Sequence, residues 1–275
     1  MFLCGQYRLN LKKRTHIMGI LNITPDSFYK ESRVISVNTA LKRADKMIRE
    51  GADILDIGGE SSRPGSDPVS EEEELKRILP VINALIKKFD IPVSVDTYKS
   101  AVARAVLEEG VSIINDISGL RFNPNMAKTI ASAKAAVIIM HISGKPKTMQ
   151  KNPSYKSLMR EITAYLKRGI KQAVSSGIKE SSIIVDPGIG FGKKFSHNIT
   201  ILKKLKQLQK LKKPILLGLS RKSFIGKILD LPVEERLEGS IAASVFGILN
   251  GAQILRTHDV KETKRALAVA DAIVH

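Results

Sequence analysis

The sequence predicts an α/β protein, a (β/α)8 TIM barrel that forms a single domain over residues 1–275. Short apolar segments rich in β-branched residues alternate with longer amphipathic segments from one end of the chain to the other. The short segments are apolar on both faces, as are parallel strands that helices cover. The length also fits, because such barrels typically need about 250 residues. An open, doubly wound sheet shows the same alternation, so the pattern alone leaves it as an alternative.

The individual elements follow from apolar runs, cap residues and glycines. Strands are predicted at residues 17–23, 52–58, 92–96, 112–117, 135–141, 182–187, 214–220 and 252–257. Helices are predicted at residues 37–50, 71–88, 99–109, 124–133, 154–176, 196–211, 234–250 and 260–273. Ser70 before four glutamates suits a helix N-cap and the helix dipole, and glycines such as Gly51 and Gly110 stand where helices should end. Residues 5–14 predict a short N-terminal strand or hairpin that plugs the barrel floor.

Composition favours a cytoplasmic globular protein. The hydrophobic fraction of 43% argues against disorder. No apolar run approaches the roughly 20 residues that span a membrane, and the first residues lack the apolar core of a signal peptide. The single cysteine, Cys4, cannot form a disulfide within the chain, and a cytosolic protein needs none. We therefore expect no membrane partner.

The net charge of +18 raises the question of an anionic partner, including nucleic acid. The densest basic segment, residues 201–214, places its leucines at helical spacing with the lysines between them. No aromatic side chains interleave with these lysines, and the chain has no tryptophan. We interpret the segment as the solvated face of an amphipathic helix and expect no nucleic-acid partner. A nucleic-acid binder stays an alternative, and strongly salt-dependent binding would support it.

Polar residues gather at the predicted ends of the strands, where barrel enzymes place their chemistry. They are Asn22, Asp56, Asp96, Asn115, Asp116, Asp186, Ser220, Arg221, Lys222, Ser223, Arg256 and His258. Any one of them could merely cap a helix or pair with a neighbour, but the whole set at one mouth favours a binding site.

The residue types indicate which ligands fit. Asp96, Asn115 and Asp186 suit a flat heterocycle edged with N–H donors. The set Asn22, Arg63, Arg256 and His258 suits phosphate oxygens. Lys222 and Ser223 open a predicted helix, whose N-terminus also attracts an anion. The site is therefore expected to bind a polar ring and at least one anion.

Seven sequence blocks resemble the dihydropteroate synthases, in the order in which that family carries them. The blocks are NITPDSF, GGESSRPG, SVDTYKS, INDISG, DPGIGFGK, GLSRKSFIG and RTHDV, and they extend over residues 22–260. The family condenses 6-hydroxymethyl-7,8-dihydropterin pyrophosphate with p-aminobenzoate in folate biosynthesis, and sulfonamides compete at its p-aminobenzoate site. The resemblance implies an alkyl-transferring enzyme with small-molecule substrates, Mg²⁺ as cofactor, and a homodimer. It also implies pyrophosphate loss to a pterin-stabilised cation that the aromatic amine attacks.

The resemblance also assigns roles to individual residues. Catalysis is expected from Asp96, Asp186 and Lys222. Pterin binding is expected from Asp96, Asn115, Met140, Asp186, Lys222 and Arg256. Pyrophosphate binding is expected from Asn22, Arg63, Arg256 and His258, with Asn22 as the Mg²⁺ ligand. The p-aminobenzoate region is expected to comprise Phe28, Ser62, Arg63, Pro64, Phe191, Lys222 and Ser223.

The chain departs from the family pattern at several places. Ser62 stands where threonine is usual, Thr257 where valine is more frequent, and the segments FYKES and HISGKPKTMQ also differ. These departures bear on drug sensitivity and loop behaviour more than on the reaction.

Two motifs and two related activities compete with this interpretation. GIGFGKK lacks the spacing of a nucleotide-binding loop, and we expect its glycines to let the backbone approach the pterin. His141 and His258 lack the companions of a zinc site. A methyltetrahydrofolate:corrinoid methyltransferase would share the barrel and the pterin-binding acids, but it would not explain SRPG or SRKSFIG. A homologue that binds pterin without turnover is the other alternative.

Overall fold

The computed structural model describes residues 1–24 and 36–274, and it confirms the predicted barrel. The strands are β1 Phe2–Cys4, β2 Tyr7–Leu9, β3 His16–Asn22, β4 Ile54–Gly58, β5 Val93–Asp96, β6 Ile113–Asp116, β7 Ala136–Met140, β8 Ile183–Asp186, β9 Leu216–Gly218 and β10 Ile254–Thr257. The helices are α1 Val37–Arg49, α2 Glu71–Lys88, α3 Ser100–Glu108, α4 Met126–Ser132, α5 Leu158–Ser175, α6 Phe195–Lys203, α7 Ser223–Leu229, α8 Leu237–Leu249 and α9 Val260–Val274.

The eight strands β3 to β10 form a parallel sheet that closes on itself. The order is β8-β7-β6-β5-β4-β3-β10-β9, so β10 pairs with β3. The ring closes between β8 and β9, where Val185 bridges Ile215 and the Val185 N–H donates to the Pro214 carbonyl at 2.9 Å. Closure distinguishes the barrel from the open sheet that the sequence pattern left as an alternative.

The N-terminal hairpin closes the bottom of the barrel, as predicted. β1 and β2 pair antiparallel across a turn at Gly5, whose φ is +58°. Phe2 and Cys4 are fully buried and pack with residues from seven of the barrel strands. Those residues are Met18, Ile54, Ile113, Ala136, Ile138, Ile184, Leu216 and Ile254. The hairpin therefore fills the floor with apolar side chains and leaves the opposite end for polar ones.

Local sequence signals account for the best-defined helix. The Ser70 hydroxyl accepts the N–H of Glu73 at 3.1 Å and caps α2. Glutamates occupy the first turn of α2, and Lys87 and Lys88 occupy its last turn. Both sets of charges match the helix dipole. Apolar residues at helical spacing, including Ile78, Ile82 and Leu85, bury the inner face of α2 against the barrel.

One predicted helix has a different form. The segment predicted as a helix at 196–211 is α6 up to Lys203, followed by a 3-10 helix at Leu205–Leu211. Leu205, Leu208 and Leu211 recur every third residue, which matches the three residues per turn of a 3-10 helix rather than 3.6. The lysines between them are exposed, in agreement with the predicted solvated face. Helix α7 also lies between β9 and α8, where only its first residues had been predicted as helical.

The barrel divides into an apolar shell and a polar upper interior. Most buried apolar residues form one cluster between the strands and the surrounding helices. Toward the carboxyl ends of the strands, buried polar residues replace them inside the barrel, among them Asp56, Ser94 and Asn115. None of the described helices is both long and apolar enough to span a lipid bilayer.

Candidate active site

A linked polar network forms the floor of the mouth at the carboxyl ends of the strands. Arg256 on β10 donates from Nε to Asp56 Oδ2 at 2.5 Å and from Nη2 to Asp96 Oδ2 at 3.0 Å. Asn115 on β6 donates from Nδ2 to the same Asp56 oxygen at 3.2 Å. One guanidinium therefore holds two carboxylates side by side beneath the mouth.

The buried charges of the floor are only partly compensated. Burial raises the pKa of Asp96 to about 7 even though Arg256 works in the opposite direction, and Asp56 adds to the rise. Asp56 is fully buried, and its second oxygen, Oδ1, has no hydrogen-bond partner within residues 1–24 and 36–274. A buried carboxylate oxygen without a donor is costly, which favours a donor from water or a ligand at this position.

Asp186 and Lys222 interact through their charges at the mouth, where they follow the neighbouring strands β8 and β9. Asp186 ends β8, and its Oδ1 accepts the Gly188 N–H at 2.6 Å. Burial raises the pKa of Asp186 to about 6, against the effects of that N–H and of Lys222. Burial lowers the pKa of Lys222 to about 8, against the effect of Asp186. The Lys222 Nζ lies 4.3 Å from the centroid of the Phe191 ring, within cation–π range.

An apolar wall stands beside these charges. Met140 at the end of β7 is 3% exposed and packs with Ile117, Ile142 and Met149. Phe191 packs against this cluster together with Tyr98 and Phe122. Ligand pockets commonly combine apolar walls with a few placed polar groups. The mouth therefore suits a flat ring whose edge carries N–H donors and whose faces are apolar.

The outer part of the mouth combines arginine side chains with the neutral His258. His258 follows β10, and its Nδ1 lies 3.0 Å from the Ser220 hydroxyl oxygen. The His258 side chain has solvent access, but the surrounding protein shields much of it from water, which lowers its pKa. The positive charges of the nearby Arg256, Arg221 and Arg63 lower the pKa further. Arg63 is therefore close enough to interact electrostatically with His258. These groups form a region that favours an anion.

The residues predicted for p-aminobenzoate are spread over three loops. Loop 2, residues 59–70, carries the half-buried Ser62 and the exposed Arg63 and Pro64. Phe191 lies on the loop after β8, and Lys222 and Ser223 lie at the start of α7. Phe28 lies outside the described residues. Asn22, the predicted Mg²⁺ ligand, is half-buried at the end of β3.

A second buried lysine joins the loops after β7 and β8. Lys193 is 3% exposed, and its Nζ hydrogen-bonds to His141 Nδ1 at 3.0 Å and donates to the Phe191 carbonyl at 2.9 Å. Burial lowers the pKa of Lys193 to about 7 and that of His141 to about 2. His141 is therefore a neutral acceptor for the lysine.

The glycines of GIGFGKK let this loop pack closely against the loop after β7, and their expected approach to the pterin stays a prediction. A Cβ on Gly188 would overlap the His141 carbonyl, and one on Gly192 would overlap the Ser143 carbonyl. Both glycines also have positive φ values, +66° and +63°. They therefore let the loop after β8 approach the chain's own backbone. Two of these glycines also border site residues, since a Cβ on Gly188 would lie 3.3 Å from Met140 Cγ and one on Gly190 would lie 3.6 Å from Lys222 Nζ.

Sequence reasoning missed parts of the site. Asp56 was recognised at a strand end but was assigned no role, although its carboxylate accepts hydrogen bonds from both Arg256 and Asn115. Lys193 and Gln150, whose Nε2 donates to the Gly190 carbonyl at 2.6 Å, were not singled out. The position of Lys193 directly after the DPGIGFG loop was the available signal for it.

A family model described as "Pterin binding enzyme" matches residues 18–258. A dihydropteroate synthase from Clostridium beijerinckii is 46% identical over 271 residues, which are 98% of this chain and 98% of that protein. The similarity therefore extends over both proteins at nearly full length.

Solved structures show the same likeness in three dimensions. A Yersinia pestis dihydropteroate synthase in a sulfonamide drug complex is 41% identical with a TM-score of 0.94, covering 100% of this chain and 99% of that chain. A Clostridium difficile dihydropteroate synthase, solved in the presence of pteroic acid, is 46% identical with a TM-score of 0.90, covering 99% of both chains.

Proposed function

The chain belongs to the dihydropteroate synthases, within the family of pterin binding enzymes, and we propose that the strand-end mouth is where it carries out their reaction. This transferase joins 6-hydroxymethyl-7,8-dihydropterin pyrophosphate to p-aminobenzoate and releases 7,8-dihydropteroate and pyrophosphate, a step of folate biosynthesis. The observation that carries the assignment of the site is the floor network, in which Arg256 joins Asp56 and Asp96 beside Asp186 and Lys222.

The pterin ring binds over this floor. Asp96, Asn115 and Asp186 offer oxygen acceptors for the N–H donors along the ring edge, and Lys222 offers a donor to a ring carbonyl or nitrogen. Met140 contacts a face of the ring from the apolar wall. Arg256 borders both the ring and the pyrophosphate because its guanidinium belongs to the floor network and its charge also acts on His258.

The charged floor stabilises the charge that develops during reaction. Breaking the bond between the exocyclic methylene and pyrophosphate leaves positive charge on the methylene, delocalised into the pterin ring. A buried carboxylate such as Asp96 or Asp186 stabilises that cation without reorganising at the moment of reaction. The departing pyrophosphate is held by the cationic Arg63 and Arg256, together with His258 and Asn22.

The second substrate completes the bond. The aromatic amine of p-aminobenzoate is unprotonated at neutral pH, so its lone pair attacks the methylene without a strong general base. Ser62, Pro64 and Phe191 enclose the p-aminobenzoate ring, and Lys222, Ser223 and Arg63 face its polar end. Loop 2 excludes water that would otherwise trap the cation.

Magnesium is proposed at Asn22. In the described part of the chain, no three His, Cys, Asp or Glu side chains come together as a metal site. Mg²⁺ usually takes one or two protein oxygens and completes its shell with water and substrate phosphates. The amide oxygen of Asn22 at the mouth fits that pattern. When bound, the ion neutralises charge on the leaving pyrophosphate.

Sulfonamide binding follows from the same pocket. The Yersinia pestis relative was solved in a sulfonamide drug complex, and loop 2 of this chain carries the SRPG segment with Ser62 where the family usually has threonine. We propose that sulfonamides compete with p-aminobenzoate at Ser62, Pro64, Phe191 and Lys222. Competitive inhibition that p-aminobenzoate relieves is the expected result.

A homodimer is proposed through α8 and α9. Phe246 and Leu249 on α8 are 43% and 47% exposed, and Val269 and Ile273 on α9 are 63% and 77% exposed. Helix α8 is apolar around most of its circumference, which is typical of a helix buried on both sides. Light scattering should show a dimer that Phe246→Lys converts to a monomer. A matched substitution of the exposed Val174 on α5 should leave the dimer intact.

We propose the cytoplasm as the location. A pyrophosphate ester carries several negative charges, which are costly to move through hydrocarbon, so the enzyme needs to share a compartment with the supply of this substrate. Fractionation of the source cells with an antibody against the chain tests the location.

An activity assay with site variants tests the proposed function. Purified protein, pterin pyrophosphate, p-aminobenzoate and Mg²⁺ should yield dihydropteroate and pyrophosphate, and Asp96→Asn and Lys222→Ala should each lower kcat/KM about 100-fold or more. Asp116→Asn is the matched control, because the buried Asp116 carboxylate accepts hydrogen bonds from Ser118 and Leu120 in the turn that follows β6. Pterin binding without product in the unaltered protein would contradict the synthase activity and leave a homologue without turnover.

A further inference from the structure

Loop 2 is anchored by a buried cluster that lies outside the substrate site. Glu60, near the start of the loop, accepts three hydrogen bonds with its two carboxylate oxygens. The Tyr98 hydroxyl donates to Oε1 at 2.7 Å. Lys99 Nζ donates to Oε2 at 2.5 Å, and the Val69 N–H donates to Oε2 at 3.2 Å. Glu60 is therefore connected both to the turn after β5 and to the far end of its own loop.

Lys99 continues this cluster into α2. Its Nζ also donates to Glu74 Oε2 at 2.6 Å. The side chains of Lys99, Glu60 and Glu74 are only 10%, 9% and 1% exposed. One ammonium is thus shared between two carboxylates where little water reaches any of them, and charge-assisted hydrogen bonds are strong and directional in such surroundings.

The cluster holds the two ends of loop 2 together. The Glu60–Val69 hydrogen bond closes the loop, and Arg77 Nη1 donates to the Gly59 carbonyl at 3.0 Å, which secures the residue before Glu60. The tip, in contrast, is exposed at Arg63, Pro64 and Gly65. The position of the tip over the mouth therefore depends on how firmly its ends are held.

Stability alone does not account well for a buried charge cluster. Buried ion pairs often contribute little net stability, because the cost of removing the charges from water offsets their attraction. What such a cluster does supply is a defined geometry. Lys99 lies in the segment DTYK directly after Asp96, so it joins the loop that carries Ser62 and Arg63 to the strand that carries a floor residue.

We propose that Lys99 is a positioning residue that sets loop 2 over the p-aminobenzoate subsite through Glu60 and Glu74, an inference that rests on the proposed function. The pterin floor is built from strand ends, and the hydrogen bonds of Glu60, Lys99 and Glu74 do not reach it, although the charge of Glu74 adds to the raised pKa of Asp96. Loss of the Lys99 ammonium therefore weakens p-aminobenzoate binding selectively.

Lys99→Met is the principal variant, since methionine keeps an unbranched apolar stem and removes the ammonium. The KM for p-aminobenzoate should rise roughly tenfold or more, because displaced positioning groups degrade a bound geometry steeply. The KM for the pterin pyrophosphate should change less than about twofold, as should the affinity for dihydropterin alone. Glu60→Gln should give a smaller rise in the same KM, because the amide oxygen can still accept from Val69 or Tyr98. Glu60→Gln removes one buried carboxylate and leaves the Lys99 ammonium in place. This variant therefore provides the same test if Lys99→Met fails to fold.

Lys213→Met is the matched control. Lys213 is also a lysine with a buried stem, with a side chain 6% exposed, and it pairs with Glu180 at 2.9 Å. It precedes β9 at the opposite end of the barrel and contacts no residue of loop 2. This variant should lose thermal stability without changing either KM. The comparison separates loss of a buried lysine from displacement of loop 2.

Equilibrium binding makes the inference independent of turnover. The Kd of p-aminobenzoate is measured by calorimetry with dihydropterin and pyrophosphate present, for the unaltered protein, Lys99→Met, Glu60→Gln and Lys213→Met. A weaker Kd in the first two variants alone supports the positioning role, even if the unaltered protein makes no product and the proposed function fails. Unchanged p-aminobenzoate affinity in folded Lys99→Met or Glu60→Gln, an equal loss of pterin affinity, or the same loss in Lys213→Met would overturn it. Absence of p-aminobenzoate binding to the unaltered protein would overturn both.

Discussion

The floor of the mouth and loop 2 hold their charges in different ways. At the floor, Arg256 contacts Asp56 and Asp96 directly, and these residues lie on barrel strands whose positions the parallel register fixes. In loop 2, the residues predicted to meet the substrate are exposed or half-buried, and the buried charges of Glu60, Lys99 and Glu74 lie at the ends of the loop and in α2. The ion pairs of the floor therefore lie next to the proposed substrate, whereas those of loop 2 hold the ends of the loop.

The difference follows from what each region has to do. A pterin ring with a fixed pattern of donors needs rigid acceptors, and strands provide them. The p-aminobenzoate side must admit one substrate after the other and then exclude water, which requires a loop. The conformation of a loop that carries a subsite has to be fixed by contacts outside the subsite. In loop 2, the buried cluster at its two ends provides these contacts.

The largest expected effect comes from removing the cation of the floor. Arg256→Met leaves the Asp56 and Asp96 carboxylates buried without their partner, so we expect a loss of about 3 kcal/mol in the free energy of unfolding and little remaining activity. The pKa of Asp96, which burial already raises to about 7, should rise further. An acid with a raised folded-state pKa favours folding at low pH and loses that contribution as the pH rises. The variant should therefore be more stable at pH values near 5 than near 8.

Denaturant unfolding at both pH values measures this effect. Arg14→Met is the control, because Arg14 pairs with Asp53 at the bottom of the barrel, where its side chain is 40% exposed. It should cost less stability and leave kcat unchanged. A variant of Arg256 that unfolds like the control at both pH values would contradict the role of the floor.

The next largest effect concerns the pH dependence of catalysis. The buried carboxylates Asp96 and Asp186 have pKa values raised to about 7 and about 6, and that of Lys222 is lowered to about 8. Binding and cation stabilisation need the carboxylates ionised and the lysine protonated. The value of kcat/KM should therefore fall as the pH drops below this range and again as it rises above it. Stopped assays across the pH range measure the profile.

Lys222→Arg sharpens this prediction. A guanidinium stays charged throughout the range, so the fall at high pH should disappear while the fall at low pH stays. If the alkaline fall persists in this variant, a group other than Lys222 causes it.

A smaller effect, on stability, is expected at the contact between the loops after β7 and β8. Gly188→Ala places a methyl group against the His141 carbonyl at a φ of +66°, so it should destabilise the fold by about 1–3 kcal/mol. Gly218→Ala is the matched control, because a Cβ there meets nothing within 4 Å. Thermal unfolding of the two variants tests the loop contact. Equal midpoints would show that the loop after β8 can move away from β7 without cost.

The sequence predicted which residues lie at the floor better than it predicted which of them pair with one another, for a physical reason. Strand ends are local features, and their convergence follows from the barrel, so Asp96, Asn115 and Asp186 could be placed together before any coordinates. The partner of Arg256 depends on the register between β10, β3 and β4, which no local pattern encodes. Asp56 therefore received no role.

The buried lysines were missed for a related reason. Lys99 and Lys193 stand in polar segments that resemble solvated loops, and their side-chain partners are 25 to 52 residues away. Only the fold reveals that these lysines are enclosed. The three-residue spacing of Leu205, Leu208 and Leu211 was, in contrast, visible in the sequence, and it was interpreted with the period of an α-helix instead of a 3-10 helix.

The smallest expected effect lies at the tip of loop 2 and tests how finely the loop is placed. Ser62→Thr adds one methyl group toward the p-aminobenzoate subsite. If the Glu60–Lys99–Glu74 cluster holds the tip as proposed, the methyl group becomes buried against the substrate and contributes about 0.8 kcal/mol, which lowers the KM for p-aminobenzoate about fourfold. Ser61→Thr, one residue earlier in the same loop, should not change it. The gain should also vanish in the Lys99→Met background, since a displaced tip no longer presents residue 62 to the ring. A gain that persists there would show that loop 2 finds its place over the substrate without the buried cluster.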